Sequence, residues 1–127
     1  MYGFTTEVKG SFDEVYGKVT EALMAEGFGV LTEIDVQATL KKKLDIDKRP
    51  YKILGACNPG LANQAIDAEP DVGLLLPCNV VIREDESGAI VVGFMDPTSV
   101  LGLADNAALT ELGAQVREKM LRVKDSL

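Results

Sequence analysis

Two rhythms of apolar residues alternate along this chain, one with the period of two that suits a strand and one with the three-to-four spacing of a helix. That alternation confines the fold to a sheet with helices packed on it, because neither kind of element can bury its apolar face alone. Gly3 to Val8 reads as a first strand. Ser11 and Glu14 then form a capping-box pattern ahead of a stripe that runs from Phe12 through Val15, Val19 and Leu23 and stops at Gly27. Phe28 to Asp35 reads as the second strand, with Phe28, Val30, Thr32 and Ile34 on one side and Glu33 and Asp35 on the other. Asp35 caps a helix carrying Val36, Leu40 and Leu44, and Tyr51 to Cys57 follows as a third strand. Asn58-Pro59 starts a short helix that ends before Pro70, because Asn accepts from first-turn donors and Pro needs no donor there. Val72 to Leu76 fits either a helical turn or an extended run. Asn79 to Glu84 and Ala89 to Met95 form a hairpin around Asp85 to Gly88. An irregular stretch after Asp96-Pro97 leads to a last helix from about Asn106 to Lys124, striped by Leu109, Leu112, Val116, Met120 and Val123. The expected fold is α+β, a mixed sheet of about five strands covered by helices in the order β-α-β-α-β-α-β-β-α, with residues 1–127 forming a single domain.

The chemistry open to such a domain is narrowed by what the chain lacks. It contains no histidine, which removes the commonest general base and the commonest metal ligand, and with them serine-histidine and cysteine-histidine catalysis. A net charge of −7 argues against a dedicated nucleic-acid binder, since phosphate contacts need clustered basic side chains. Lys41, Lys42, Lys43, Lys48, Arg49 and Lys52 are concentrated around Asp45 and Asp47, a local basic patch that reads either as a solvated helix end or as a meeting place for an anionic ligand or an acidic second subunit. Val72 to Ile82 is interrupted by Gly73, Pro77 and Asn79 and is too short to span a bilayer, and no secretory signal is visible at Met1 to Gly10. A soluble, cytoplasmic protein without a membrane partner is expected.

A strand-helix-strand passage from the second strand to the third implies that the two run parallel, which sets Glu33, Asp35, Cys57 and Asn58 at one rim of the sheet. An antiparallel fourth strand returns Cys78 and Asn79 to that rim, and the hairpin brings Asp96 there. Ligands bind at the carboxyl ends of strands in open α/β sheets. The expected cluster is two thiols, two amides and up to three carboxylates beside the helix that starts at Pro59, with Lys52 as a charge partner. Three readings of the Cys-Asn pairs stay open. Buried cysteines and capping asparagines simply close off strands; the pairs orient a small anionic or polar ligand at a helix start; or a thiol lowered in pKa by the helix performs redox or nucleophilic chemistry. The cysteines stand 21 residues apart and outside any Cys-x-x-Cys motif, so no metal or cofactor is assigned. Asp45-Ile-Asp47 fails as a calcium loop, with Pro50 where glycine is needed and Ala56 where glutamate should chelate. Gly27-Phe-Gly29 follows a helix and opens a strand, the reverse of a dinucleotide fingerprint.

Three stretches carry a family resemblance in order and spacing: Glu26-Gly-Phe-Gly-Val-Leu-Thr-Glu-Ile-Asp-Val-Gln-Ala-Thr-Leu40, Tyr51-Lys-Ile-Leu-Gly-Ala-Cys-Asn-Pro59 and Leu74-Leu-Leu-Pro-Cys-Asn-Val-Val81. Together they resemble domain of unknown function family 302 (DUF302) across nearly the whole chain. The resemblance implies a small α/β sandwich-like domain that forms a homodimer, and it brings no established reaction and no catalytic residue. A small-ligand-binding or sensing homodimer with a polar pocket at one sheet edge is the function expected. A thiol-dependent enzyme using Cys57 and Cys78, and a structural or partner-binding domain, are the alternatives.

Overall fold

A computed structural model covers residues 1–127. Its sheet contains β1 (Gly3–Val8), β2 (Gly29–Asp35), β3 (Tyr51–Cys57), β4 (Cys78–Glu84) and β5 (Ile90–Met95), in the spatial order β1-β5-β4-β3-β2. The helices are α1 (Phe12–Ala25), α2 (Val36–Leu44), α3 (Pro59–Ala68), α4 (Pro97–Leu101) and α5 (Ala107–Asp125), with 3-10 turns at Pro70–Leu75 and Gly102–Ala104. This is an α+β fold with the expected order of elements. The stretch read as irregular after Asp96 contains α4, started by an Asp-Pro pair in the way that Asn-Pro starts α3.

Every neighbouring pair of strands is antiparallel, so the sheet is not mixed. The expectation that β2 and β3 run parallel fails because α2 makes no crossover. It is nine residues long, buries none of them, and closes on Asp45 in the left-handed conformation at φ 53°. A crossover helix must lie on the sheet, whereas α2 only turns the chain back at its end.

Pairing also fixes which side chains share a face. Leu54, Val80, Phe94 and Phe4 form one row across the sheet, and Ile82 and Val92 lie in the next row on the same face. These residues pack against Val15, Val19 and Leu23 of α1 and Val116, Met120 and Val123 of α5 in one apolar core. The helix stripes read from the sequence supply that contact. A second, smaller core joins Ala65, Val72, Leu101, Leu109 and Leu112 beneath α3 and α4. A bulge in β2 between Val30 and Thr32 reverses the alternation read there: Val30 pairs with Ala56 and Glu33 with Leu54 on the helix-covered face, while Thr32 pairs with Gly55 and Ile34 with Ile53 on the other.

That other face carries Ile34, Ile53, Val81, Val91 and Met95, none of them buried. Thr5, Glu7, Asn79 and Arg83 share that face with them, so it is a mixed surface that is more apolar in its β2, β3 and β5 rows than the polar face of a solvated antiparallel sheet usually is.

Candidate functional site

Reversal of β3 against β2 divides the expected cluster between two ends of the sheet. Cys57 closes β3 and Cys78 opens β4, where Cys78 pairs with Ala56. Glu33, Asp35 and Lys52 lie toward the opposite end, with Asp35 paired to Lys52. Lys52 and Cys57 stand five positions apart on β3, about 17 Å of strand. The convergence of Glu33 and Asp35 on the thiols, expected from parallel strands, is therefore corrected, and Lys52, expected as a charge partner of that cluster, stands at the other end of the strand that Cys57 closes.

At the Cys57 end a cavity of about 320 Å³ opens between the two apolar cores. Phe28, Ala56, Cys78 and Val116 of the main core wall it on one side, and Ala65, Leu101 and Leu112 of the smaller core on the other. Room for it comes from α3, which turns Ala62 and Ala65 toward the space where larger side chains would close the gap. Gly55 keeps the sheet end tight for a different reason. A Cβ there would clash with Thr32 Oγ1 and lie 2.8 Å from Pro77 Cγ, and Thr32 and Pro77 both line the cavity.

Cys57, Asn58 and Cys78 line this cavity together, so three of the residues singled out in the sequence do meet. Burial pushes the Cys78 thiol up to about 11, with the neighbouring Cys57 adding to the shift, so Cys78 stays protonated at neutral pH. Cys57 is only partly buried, and neither cysteine is in a disulfide. Asn58 is occupied as the cap of α3: its Oδ1 accepts from the Leu61 backbone N–H at 3.3 Å. Its Nδ2 lies 3.0 Å from where a Cβ of residue 27 would stand, and Gly27 has φ +84°, so that position needs glycine twice over. No charged residue lines the cavity, and 13 of its 17 lining residues are hydrophobic, so the expected polar pocket is here an apolar one.

Asn79 and Asp96 reach the same end of the sheet but not the cavity. Asn79 pairs with Gly55 and lies exposed on the uncovered face, beside a depression shared with Tyr51 and Arg83. Asp96 caps α4, its Oδ1 accepting from the Thr98 backbone N–H at 3.0 Å and from the Thr98 hydroxyl at 2.7 Å, while Arg117 of α5 reaches it at 3.4 Å. Burial alone would raise this carboxyl, but Thr98 and Arg117 outweigh it and hold Asp96 below its ordinary value. Asp96 thus fixes α4, whose Leu101 walls the cavity.

The residues at the opposite end assemble into a cluster of their own. Glu33 accepts from the Tyr16 hydroxyl of α1, Lys52 Nζ approaches Glu33 Oε2 at 3.5 Å, and the same ammonium sits 4.7 Å from the Tyr16 ring centroid. The hydrogen bond to Glu33, burial and the charge of Glu33 together raise the Tyr16 phenol. Lys52 is not on an edge strand, since β3 lies between β4 and β2. Asp35 caps α2 through the Ala38 N–H at 2.9 Å. In the basic stretch, Lys41 pairs with Asp45 at 2.9 Å and Asp47 at 3.1 Å, both exposed partners.

Sequence reasoning missed Ala62, Leu101, Leu112 and Val116 as cavity residues. The available signal was the small pair Ala62 and Ala65 one helical turn apart on α3, directly after the Cys57-Asn58 junction.

The fold and its cavity define a small α+β domain in which a helix-covered antiparallel sheet ends in an apolar pocket bearing two free thiols. Residues 4–127 match the family model described as Domain of unknown function DUF302, and the chain belongs to that family. Its structure is similar to the crystal structure of an uncharacterized conserved DUF302 protein from Bacillus stearothermophilus, at 31% identity and a TM-score of 0.92, with 99% of this chain and 98% of that chain covered. No curated protein matches the chain. No helix is long and apolar enough to cross a membrane.

Proposed function

We propose that the chain is a single small-molecule-binding domain and that the cavity at the ends of β3 and β4 receives the ligand. The observation that carries this reading is a concave space of about 320 Å³ between two apolar cores, within the volume range of small-ligand sites. Small side chains on α3 hold it open, and Asn58 and two thiols are the distinctive groups on its wall. Native mass spectrometry of protein taken directly from cells tests the reading. A bound small molecule is expected on the wild type and absent from Ala65→Leu, which fills the space. Equal occupancy of the two proteins contradicts it.

The working unit is a homodimer, and the uncovered sheet face supports that arrangement. Beyond the exposed Ile34 and the partly exposed Ile53, Val81, Val91 and Met95, it presents Gly93 in the middle of β5, where a Cβ would meet only Thr5 Cγ2 at 3.4 Å. Nothing in the chain excludes a side chain there, and glycine inside a strand commonly marks the close approach of another surface. Sedimentation of Val81→Asp should report a monomer where the wild type sediments as a dimer. A cytoplasmic setting accords with two unpaired cysteines.

Thiol-dependent redox or catalytic chemistry is the second reading, favoured by the shared cavity of Cys57 and Cys78. It is the weaker one, because Cys78 is held as a neutral thiol and reacts slowly in that form. Rapid alkylation of both thiols at neutral pH would favour it. A structural or partner-binding domain without a ligand is the third, and it predicts no small molecule on the protein in any preparation.

A further inference from the structure

The chemistry of the cavity wall narrows the class of ligand, given the reading that this cavity is a binding site. An anion or cation brought into it would find no opposite charge: neither Lys, Arg, Asp nor Glu is on the wall. Cys78 contributes a protonated thiol, and the acceptor oxygen of Asn58 is already used in capping α3. Among the side chains, what remains for a polar atom is the Asn58 amide nitrogen, the Thr32 hydroxyl and the thiols. A charge desolvated in such a place is strongly disfavoured, whereas an apolar body gains from every wall it touches.

Size follows from volume. An apolar protein cavity of about 150 Å³ holds benzene, so a space of about 320 Å³ suits a body of about twelve non-hydrogen atoms. The mouth has matching chemistry, since Leu31 and Ile66 line the cavity yet remain 67% and 46% exposed to solvent. Exposed side chains of this kind at the entrance favour an apolar molecule before it reaches the interior.

We propose that this cavity binds an uncharged, mainly apolar small molecule of about twelve non-hydrogen atoms carrying at most one hydrogen-bonding group. An ion does not serve as its ligand, and the helix start at Pro59 does not act as an anion site.

The test uses three ten-carbon probes that differ in the head group: 1-decanol, decanoate and decylammonium. Each is titrated calorimetrically into the full chain at neutral pH, and the rate of Cys57 alkylation by iodoacetamide is followed alongside. Decanol should bind at least tenfold more tightly than either ion and should slow alkylation of Cys57. Both effects should be lost in Ala65→Leu and in Ala62→Phe, two variants that fill the space from neighbouring positions and guard against one failing to fold. If decanoate or decylammonium binds as tightly as decanol, and that binding is lost in the filled variants, the ligand class is wrong and the cavity remains the site. If no probe binds, or binding survives in both filled variants, the cavity reading itself fails and the proposal falls with it.

Discussion

β3 ends in two neighbourhoods that share a strand and little else. At its start, Lys52 joins Glu33 and Tyr16 in a half-exposed polar brace, where each charge has a partner and water remains near. At its finish, Ala56 and Cys57 meet Cys78 and α3 around an apolar cavity without a charge on its wall. The first is complete as it stands, since its groups satisfy one another. The second leaves unfilled volume between two cores, although protein interiors otherwise contain few voids larger than a water molecule. On the proposed reading the apolar gap, and not the polar cluster, is the binding place.

The contrast can be broken by changes at either end. The largest effect is expected from Gly55→Val, which drives a branched side chain against Thr32 and Pro77 at the cavity wall. A loss of about 3 kcal/mol in urea unfolding is predicted, at the upper end of overpacking effects. A change below about 0.5 kcal/mol would mean that this end of the sheet is looser than its packing implies.

A smaller effect comes from the buried thiol. Cys78 titrates near 11 in the folded chain against an ordinary 9.0, so the folded state holds the proton that the unfolded state gives up first. Stability from this group is thus full below about pH 9 and is lost as pH rises through about 11, a decline of about 2 to 3 kcal/mol. Denaturation curves for wild type and Cys78→Ala across that window should converge as pH rises; parallel curves would show that the thiol is not desolvated.

The smallest effect belongs to the polar end. Glu33→Gln removes a carboxylate that is 36% exposed and should cost less than about 1 kcal/mol, as surface pairs do. Its clearer signature is spectroscopic. The Tyr16 phenol, raised by Glu33, should titrate at lower pH in the variant, and an unchanged ultraviolet titration would dissolve the brace.

Much of the fold was legible because its punctuation is chemical. The Ser11-Glu14 box, Asn58-Pro59 and the Asp85 to Gly88 turn each stand where the sequence puts them. Strand direction was not legible, since α2 has a helical stripe like that of a crossover helix and only its lack of burial reveals otherwise. The reversal separated Glu33 and Asp35 from Cys57, whereas Lys52 is set apart simply by its place at the start of β3, and Cys78 stands beside Cys57 because β4 pairs antiparallel with β3. Of the cavity only the small pair Ala62 and Ala65 was legible in the sequence, because Leu101, Leu112 and Val116 reach it from chain segments far from Cys57.

A crystal structure of protein purified from cells without ligand exchange tests the binding cavity most directly. Continuous electron density for an apolar molecule between α3, Cys57 and Cys78 is the predicted result. Side chains such as Ile66 and Leu76 folded inward to close the space, with no molecule enclosed, would contradict it.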